Sequence, residues 1–251
     1  MIQFTPEQKF IITGASSGLG EGVALLLNQL GATVIGIARN HDRLVAMRDK
    51  CAHPENCFLE ERDVTDNIDE LPVYIKSLRE KYGKFRGMAI CHGITGCASA
   101  QMITYDSLLN MFNCDYFAPV LLAKGFADRR NNIGRGAAIV AISSYAANTC
   151  NRGMMEYSGA KAALRASMKS LAKELSPFGI RVNTVSPSDI KTPMVLCNES
   201  STIRGTDHEK KYYPLGYGEV SDVANMIVYL LSDAAKWITA QDYIIDCGVG
   251  L

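Results

Sequence analysis

Short apolar runs alternate with longer, helix-patterned stretches along the whole chain, and no other feature restricts its fold as much. FIIT (10–13), TVIGIA (33–38), CFLEERDV (57–64), GMAICHG (87–93), GAAIVAISS (136–144), IRVNTVSP (180–187) and DYIIDCG (242–248) read as strands. Helical patterns lie between them: Leu19 to Leu30, about Asp42 to Lys50, Asp66 to Tyr82, Met111 to Phe126, about Met155 to Ser176, and Asp222 to Leu231. Strands that alternate with helices pair in parallel through right-handed crossovers, in a sheet covered on both faces. The expected class is a doubly wound α/β fold. No linker rich in Pro, Gly or Ser splits residues 1–251, so one domain is expected. The least patterned segment, 196–214, is polar and follows the sixth strand. Ligands bind outside the carboxyl ends of strands in such sheets, which makes 196–214 a candidate substrate loop.

Composition narrows the function. The 26 basic and 26 acidic residues cancel, so no charge excess calls for a nucleic-acid partner. No apolar run reaches membrane-spanning length, and MIQFTPEQKF does not read as a secretory leader. Cys51, Cys57, Cys91, Cys97, Cys114, Cys150, Cys197 and Cys247 form no C-x-x-C pair, and several sit within apolar runs. Reduced thiols in a cytoplasmic protein fit that pattern better than a disulfide framework. The four histidines are far apart and give no zinc-ligand spacing, so no metal is expected.

TGASSGLG (13–20) joins the first strand to the first helix. Gly14, Gly18 and Gly20 allow a sharp turn and close approach by a bulky anion. The helix then offers free N–H groups and a positive dipole end to a pyrophosphate. The spacing is G-x-x-x-G-x-G rather than G-x-G-x-x-G, but strand, turn and helix follow in the right order. Ala38 and Arg39 end the second strand, with no acid to take a ribose 2′-hydroxyl. An arginine there suits the 2′-phosphate of NADP, and Ser16 can add a donor. A merely solvated Arg39 would leave NAD open.

MFNCDYFAPVLLAKGF (111–126) sets Asp115 on an apolar helical face, between Met111 and Phe112 on one side and Ala118 and Pro119 on the other. A buried lone carboxylate is costly unless paired, hydrogen-bonded or protonated. YSGAK places Tyr157 and Lys161 on one helical face, about 6 Å apart along the axis. A phenol with an ordinary pKa near ~10 is a poor base at neutral pH. A neighbouring ammonium and an oxidised nicotinamide would lower that pKa and suit Tyr157 to acid/base work.

TGASSGLG, AISS, YSGAK and VNTVSP, in this order and spacing, resemble the classical short-chain dehydrogenase/reductase family, with members like the 3-oxoacyl-[acyl-carrier-protein] reductases. The resemblance covers nearly the whole chain. It implies one Rossmann-type domain with a seven-stranded parallel sheet, in a homotetramer or dimer. By this likeness Tyr157 is the acid/base, and Lys161 binds the nicotinamide ribose and tunes Tyr157. Ser144 bonds the substrate oxygen, with Ser143 a bystander. The likeness also assigns Ser17 and Leu19 in the glycine turn to the cofactor, together with Gly93, Ile190 and the adenine-contacting pair Asp63 and Val64. Pro187 and Thr192 would border the nicotinamide.

Departures from the family pattern are Cys91-His92 where Asn-Ala is common, Ser188 after Pro187, and Ala240 and Cys247 in place of glycines. His92 falls on a cofactor-wall position rather than that of a base. Asp115 replaces the asparagine that helps hold a proton-relay water, largely through its main-chain carbonyl. Two residues turn about 200° around a helix, so Asn113 and Asp115 cannot both face the site. Asp115 either supports the Lys161 charge and the relay or is a tolerated replacement that weakens turnover.

The implied activity is NADP-dependent hydride transfer between nicotinamide and a carbonyl or secondary alcohol substrate, polar or carrier-linked. The substitutions motivate an alternative, a cofactor-binding scaffold without turnover. The short chain counts against a third, a nucleotide-sugar dehydratase or epimerase.

Overall fold

A computed structural model describes residues 2–194 and 213–249. Seven strands make one parallel sheet: β1 Lys9–Thr13, β2 Thr33–Ala38, β3 Cys57–Glu61, β4 Gly87–Ile90, β5 Ala138–Ile142, β6 Arg181–Pro187 and β7 Asp242–Ile245. Their order is β3-β2-β1-β4-β5-β6-β7. The helices are α1 Gly18–Gln29, α2 His41–Arg48, α3 Leu71–Tyr82, α4 Tyr105–Phe112, α5 Ala118–Ala127, α6 Ala146–Thr149, α7 Met155–Leu175 and α8 Val220–Leu231.

The sheet divides the core because successive strand residues point to opposite faces. Phe10 and Ile12 join Val23, Ala24 and Leu27 of α1 and Ile227, Val228 and Leu231 of α8 on one side. Ile11 joins Ile75 of α3, Leu122 and Phe126 of α5, and Leu164 and Met168 of α7 on the other. Helices therefore cover both faces, which explains the near-continuous apolar strands. The strand order reverses between β1 and β4, the strands that flank the switch point where such sheets open a crevice.

Four strands end before the runs that hold them, β5 at Ile142 and β7 at Ile245 among them. β3 is an edge strand whose neighbour β2 stops at Ala38, opposite Glu61, so Asp63 and Val64 have no ladder to join. β4 leaves its ladder at Ile90, opposite Thr13, and Cys91 to Gly93 turn into the crevice. The expected helix over Met111 to Phe126 is corrected as well. α4 begins at Tyr105, one π-helical turn covers Asn113–Phe117, and α5 follows. Pro119 has no N–H, so the Asp115 carbonyl lacks the donor that an α-helix would supply from position 119. Of the segment 196–214, only residues 213 and 214 lie within the described residues.

Candidate active site

Thr13 closes β1 at the switch point, and its hydroxyl stitches the two central strands. It accepts from Cys91 N at 3.1 Å and lies 2.7 Å from His92 Nδ1. This hydroxyl does the work that Cys91 cannot, so the substituted segment after β4 stays tied down. Burial pushes the Cys91 thiol up to about 12. Burial, followed by the Lys161 charge, lowers His92 to about 3, so its ring is neutral and a poor base.

The glycine turn has the shape of an anion cradle. Gly14 and Gly18 have φ of 67° and 56°. Gly20 is required by close approach, since a Cβ there would lie 2.3 Å from the Gly14 carbonyl oxygen. Ser17 caps α1 without a side-chain bond to its own helix. Leu19 packs at the core margin, and Thr192 lies against Gly18, where an added Cβ would sit 3.5 Å from Thr192 Cγ2. A dinucleotide pyrophosphate fits this arrangement of open backbone and helix N-terminus. Arg39 and Asp63 meet at the far end of the crevice, with Arg39 Nη1 3.8 Å from Asp63 Oδ2. Thr65 N also donates to Asp63, and Val64 is buried beside them.

The other side of the crevice is built by β5, β6, α7 and the π turn. Lys161 and Asp115 are both buried, with Lys161 Nζ 3.2 Å from Asp115 Oδ1. Lys161 Nζ also donates to the Ile142 carbonyl at 3.1 Å, and lies 5.9 Å from the centre of the Tyr157 ring. Ile94 N donates to Asp115 Oδ1 at 3.3 Å. Among the described residues, Asp115 Oδ2 is buried without a hydrogen-bond partner. Gly93 is needed for a reason the sequence did not suggest: a Cβ there would lie 2.6 Å from Asp115 Oδ1.

Burial raises the Asp115 pKa, against the attraction of Lys161. Burial alone would lower Lys161, but the charges and hydrogen bond of its partners, Asp115 foremost, outweigh it and raise the ammonium. The Lys161 ammonium lowers the Tyr157 pKa, in the expected direction. Burial raises its pKa, and neither the Lys161 charge nor the Ser144 hydrogen bond overcomes that, so the protein alone holds a protonated phenol. Ser144 Oγ also accepts from Ala146 N at 3.1 Å. Ser143 turns away and donates to the Lys161 carbonyl at 3.1 Å. Pro187 ends β6 beside Tyr145, whose N donates to the Pro187 carbonyl at 2.9 Å. Ile190 is buried and pairs with Gly218 in an isolated bridge.

The structure thus gathers Ser144, Tyr157, Lys161 and Asp115 on one side and the glycine turn on the other, with Arg39 and Asp63 apart from both. Sequence reasoning missed the stitching role of Thr13, although TGASSGLG contains it.

The chain is similar to known proteins over almost its full length. Residues 14–250 match the family model described as enoyl-(acyl carrier protein) reductase. A 3-oxoacyl-[acyl-carrier-protein] reductase of Thermotoga maritima is 30% identical over 95% of this chain and 96% of its own. An L-xylulose reductase of Caenorhabditis elegans is 29% identical over 96% and 95%. The structure of a short-chain type dehydrogenase/reductase from Mycobacterium ulcerans superposes with a TM-score of 0.88 at 29% identity, covering 99% of this chain and 91% of that one. With the crevice at the β1/β4 switch point and the side chains gathered beside it, these matches show that the chain belongs to the classical short-chain dehydrogenase/reductase family, NAD(P)-dependent oxidoreductases acting on CH–OH and C=O groups.

Proposed function

We propose that the protein is an NADP-dependent reductase of a small carbonyl compound, with Tyr157 as the proton donor. The observation that carries this reading is the cluster of Tyr157, Ser144 and the buried Lys161–Asp115 pair at the carboxyl ends of β5 and β6. The nicotinamide, when bound, supplies the hydride. Ser144 orients the carbonyl oxygen by hydrogen bonding. Tyr157, held protonated by burial, gives its phenolic proton to that oxygen as negative charge develops there. The Lys161 ammonium then faces the tyrosinate and stabilises it. Asp115 keeps Lys161 charged in a buried place, and Oδ2 can take one further donor. The glycine turn and the α1 N-terminus would hold the pyrophosphate, with Gly14, Ser16, Ser17, Gly18, Leu19 and Gly20 around it.

Arg39, exposed at the end of β2, supports NADP over NAD, with Ser16 adding a hydroxyl. Asp63 and Val64 would border the adenine, and Gly93, Pro187, Ile190 and Thr192 the nicotinamide. Assembly as a dimer or tetramer, and a cytoplasmic location, belong to the same reading.

NADPH oxidation against a panel of small ketones and ketoses tests the reading. Tyr157→Phe should lower kcat by about a thousandfold, the scale of a lost general acid, with NADPH binding retained. Tight NADPH binding with no turnover on any compound would instead mark a scaffold.

A further inference from the structure

The amino ends of the strands hold a second polar centre, remote from the glycine turn and Tyr157. Arg86 immediately precedes β4 and Arg181 opens β6, with β5 between them. Ala138 N of β5 donates to the Arg86 carbonyl at 3.0 Å, and Ala138 pairs with Arg181. Both arginine side chains converge on the end of α8. Arg181 donates to the Leu230 and Ser232 carbonyls, at 2.6 and 3.0 Å. Arg86 Nη2 lies 2.6 Å from Asp233 Oδ1. The two guanidiniums are answered unequally. Arg181 has two aligned acceptors, whereas Nε and Nη2 of Arg86 are buried and make no hydrogen bond among the described residues. The contact with Asp233 is therefore one of charge without hydrogen-bond alignment. Arg86 is 6% exposed, but the Asp233 side chain is 74% exposed. Ion pairs with so exposed a partner are weak, and Asp233 is readily displaced. A cavity of about 380 Å³ adjoins the pair. Ile2, Phe4 and Tyr229 give it apolar walls, and Arg86 and Asp233 are the charged residues that line it.

We propose that this cavity is a second ligand site, which takes a small carboxylic acid with an apolar body on the Arg86 guanidinium. The proposal is independent of the carbonyl reduction above. A guanidinium presents its N–H donors as a planar fork that matches a carboxylate. Buried donors without an acceptor are costly, so a ligand that supplies one relieves a cost already present in the empty site. Charge favours a carboxylate over phosphate. Two guanidiniums face one carboxylate here, so one further negative charge balances the centre and a second does not. The volume is of the size that small-molecule sites have, and the apolar walls suit a hydrocarbon body. The length of β4, about 13 Å for its four residues, separates this centre from the crevice. A ligand on Arg86 therefore touches none of the reacting groups.

Benzoate is the probe, benzamide its neutral counterpart and inorganic phosphate the rival anion. Calorimetric titration of the full chain, at an ionic strength held constant with chloride, measures the binding of each. Benzoate should bind with a Kd in the millimolar range or tighter, equally with and without NADPH, and the other two more weakly. Asp233→Asn removes the competing carboxylate and should tighten benzoate about threefold, the scale of a displaced exposed ion pair. Arg86→Met should weaken it at least about tenfold, the scale of a lost hydrogen bond to a charged group. Should Arg86→Met fail to fold, Asp233→Asn carries the test, since its side chain is exposed. No benzoate binding, benzamide or phosphate as tight as benzoate, competition between benzoate and NADPH, or an affinity that the variants leave unmoved overturns the proposal. The reductase reading is decided separately, by Tyr157→Phe.

Discussion

Lys161 and Arg181 are both buried cations, but they sit at opposite ends of the sheet and are answered differently. Arg181 opens β6 at the amino end. Its Nη1 donates to the Leu230 carbonyl at 2.6 Å and its Nη2 to the Ser232 carbonyl at 3.0 Å. Leu230 and Ser232 lie at the C-terminus of α8, where carbonyls have lost their helical donors and the dipole favours a cation. Lys161, past the carboxyl ends of the strands, faces a full carboxylate, one oxygen of which has no partner among the described residues. Arg181 completes a structural joint. The Lys161–Asp115 pair keeps bonding capacity in reserve, at the end of the sheet where α/β proteins place their ligands.

Removing each cation in turn tests that contrast most strongly. Lys161→Met should abolish turnover and strand a buried carboxylate, costing about 3 kcal/mol of stability at neutral pH. Part of that cost should vanish in acid as Asp115 protonates. Arg181→Met should cost about as much through the uncapped carbonyls, while kcat of the folded fraction stays within about twofold, because the two sites share no partner. Denaturant melts and steady-state kinetics on both variants give the answer. A collapse of kcat in Arg181→Met would end the distinction between the two ends.

A subtler change sharpens it within the site. The Lys161 pKa is raised in the folded protein. The stability it contributes is therefore fully present below the unfolded value, near ~10.4, and is lost as pH rises through the higher folded value. Asp115→Asn removes the strongest opponent of burial at Lys161, so the alkaline loss of stability should begin at lower pH. The alkaline limb of kcat/KM should move the same way. Asp115 itself is raised by burial, so its contribution is present in acid and lost as pH climbs through its folded pKa. Asn at this position removes that loss, and the variant's melting temperature should vary less with pH on the acid side. Superimposable profiles for wild type and variant would leave Asp115 no role beyond filling space.

The amino-acid pattern carries the fold because a buried parallel sheet needs apolar runs and crossover helices, and both are local signals. YSGAK likewise places Tyr157 and Lys161 by helical spacing alone, and the side that Asp115 takes follows from its apolar neighbours. Other details depend on partners distant in sequence. β3 ends where β2 ends, which CFLEERDV cannot show. The π turn follows from the missing N–H of Pro119, a signal present in the sequence but masked by an unbroken apolar period. The phenol's raised pKa reflects burial by several elements, whereas YSGAK displays only the ammonium beside it.

β7 repeats the comparison on a smaller scale. Ala240 precedes it and Cys247 follows it, and both hold left-handed backbone, with φ of 60° and 59°. A side chain in that region costs about 1 kcal/mol relative to glycine. At the amino end the Ala240 methyl packs at the margin of the core, and its N donates to the Val182 carbonyl at 2.8 Å, a bond that glycine would keep. Ala240→Gly should therefore raise stability by well under ~1 kcal/mol, since the lost methyl contact and a freer unfolded chain both take back part of the relief. At the carboxyl end Cys247 has the same strain, but its sulfur holds Leu215 N and with it the turn that Gly216 N closes on the Tyr213 carbonyl. Cys247→Gly should relieve the backbone and release the turn, leaving stability nearly level. Parallel melts of the two variants distinguish strain offset by a little core packing from strain offset by a tertiary hydrogen bond; equal shifts in both would show that the sulfur contact adds nothing.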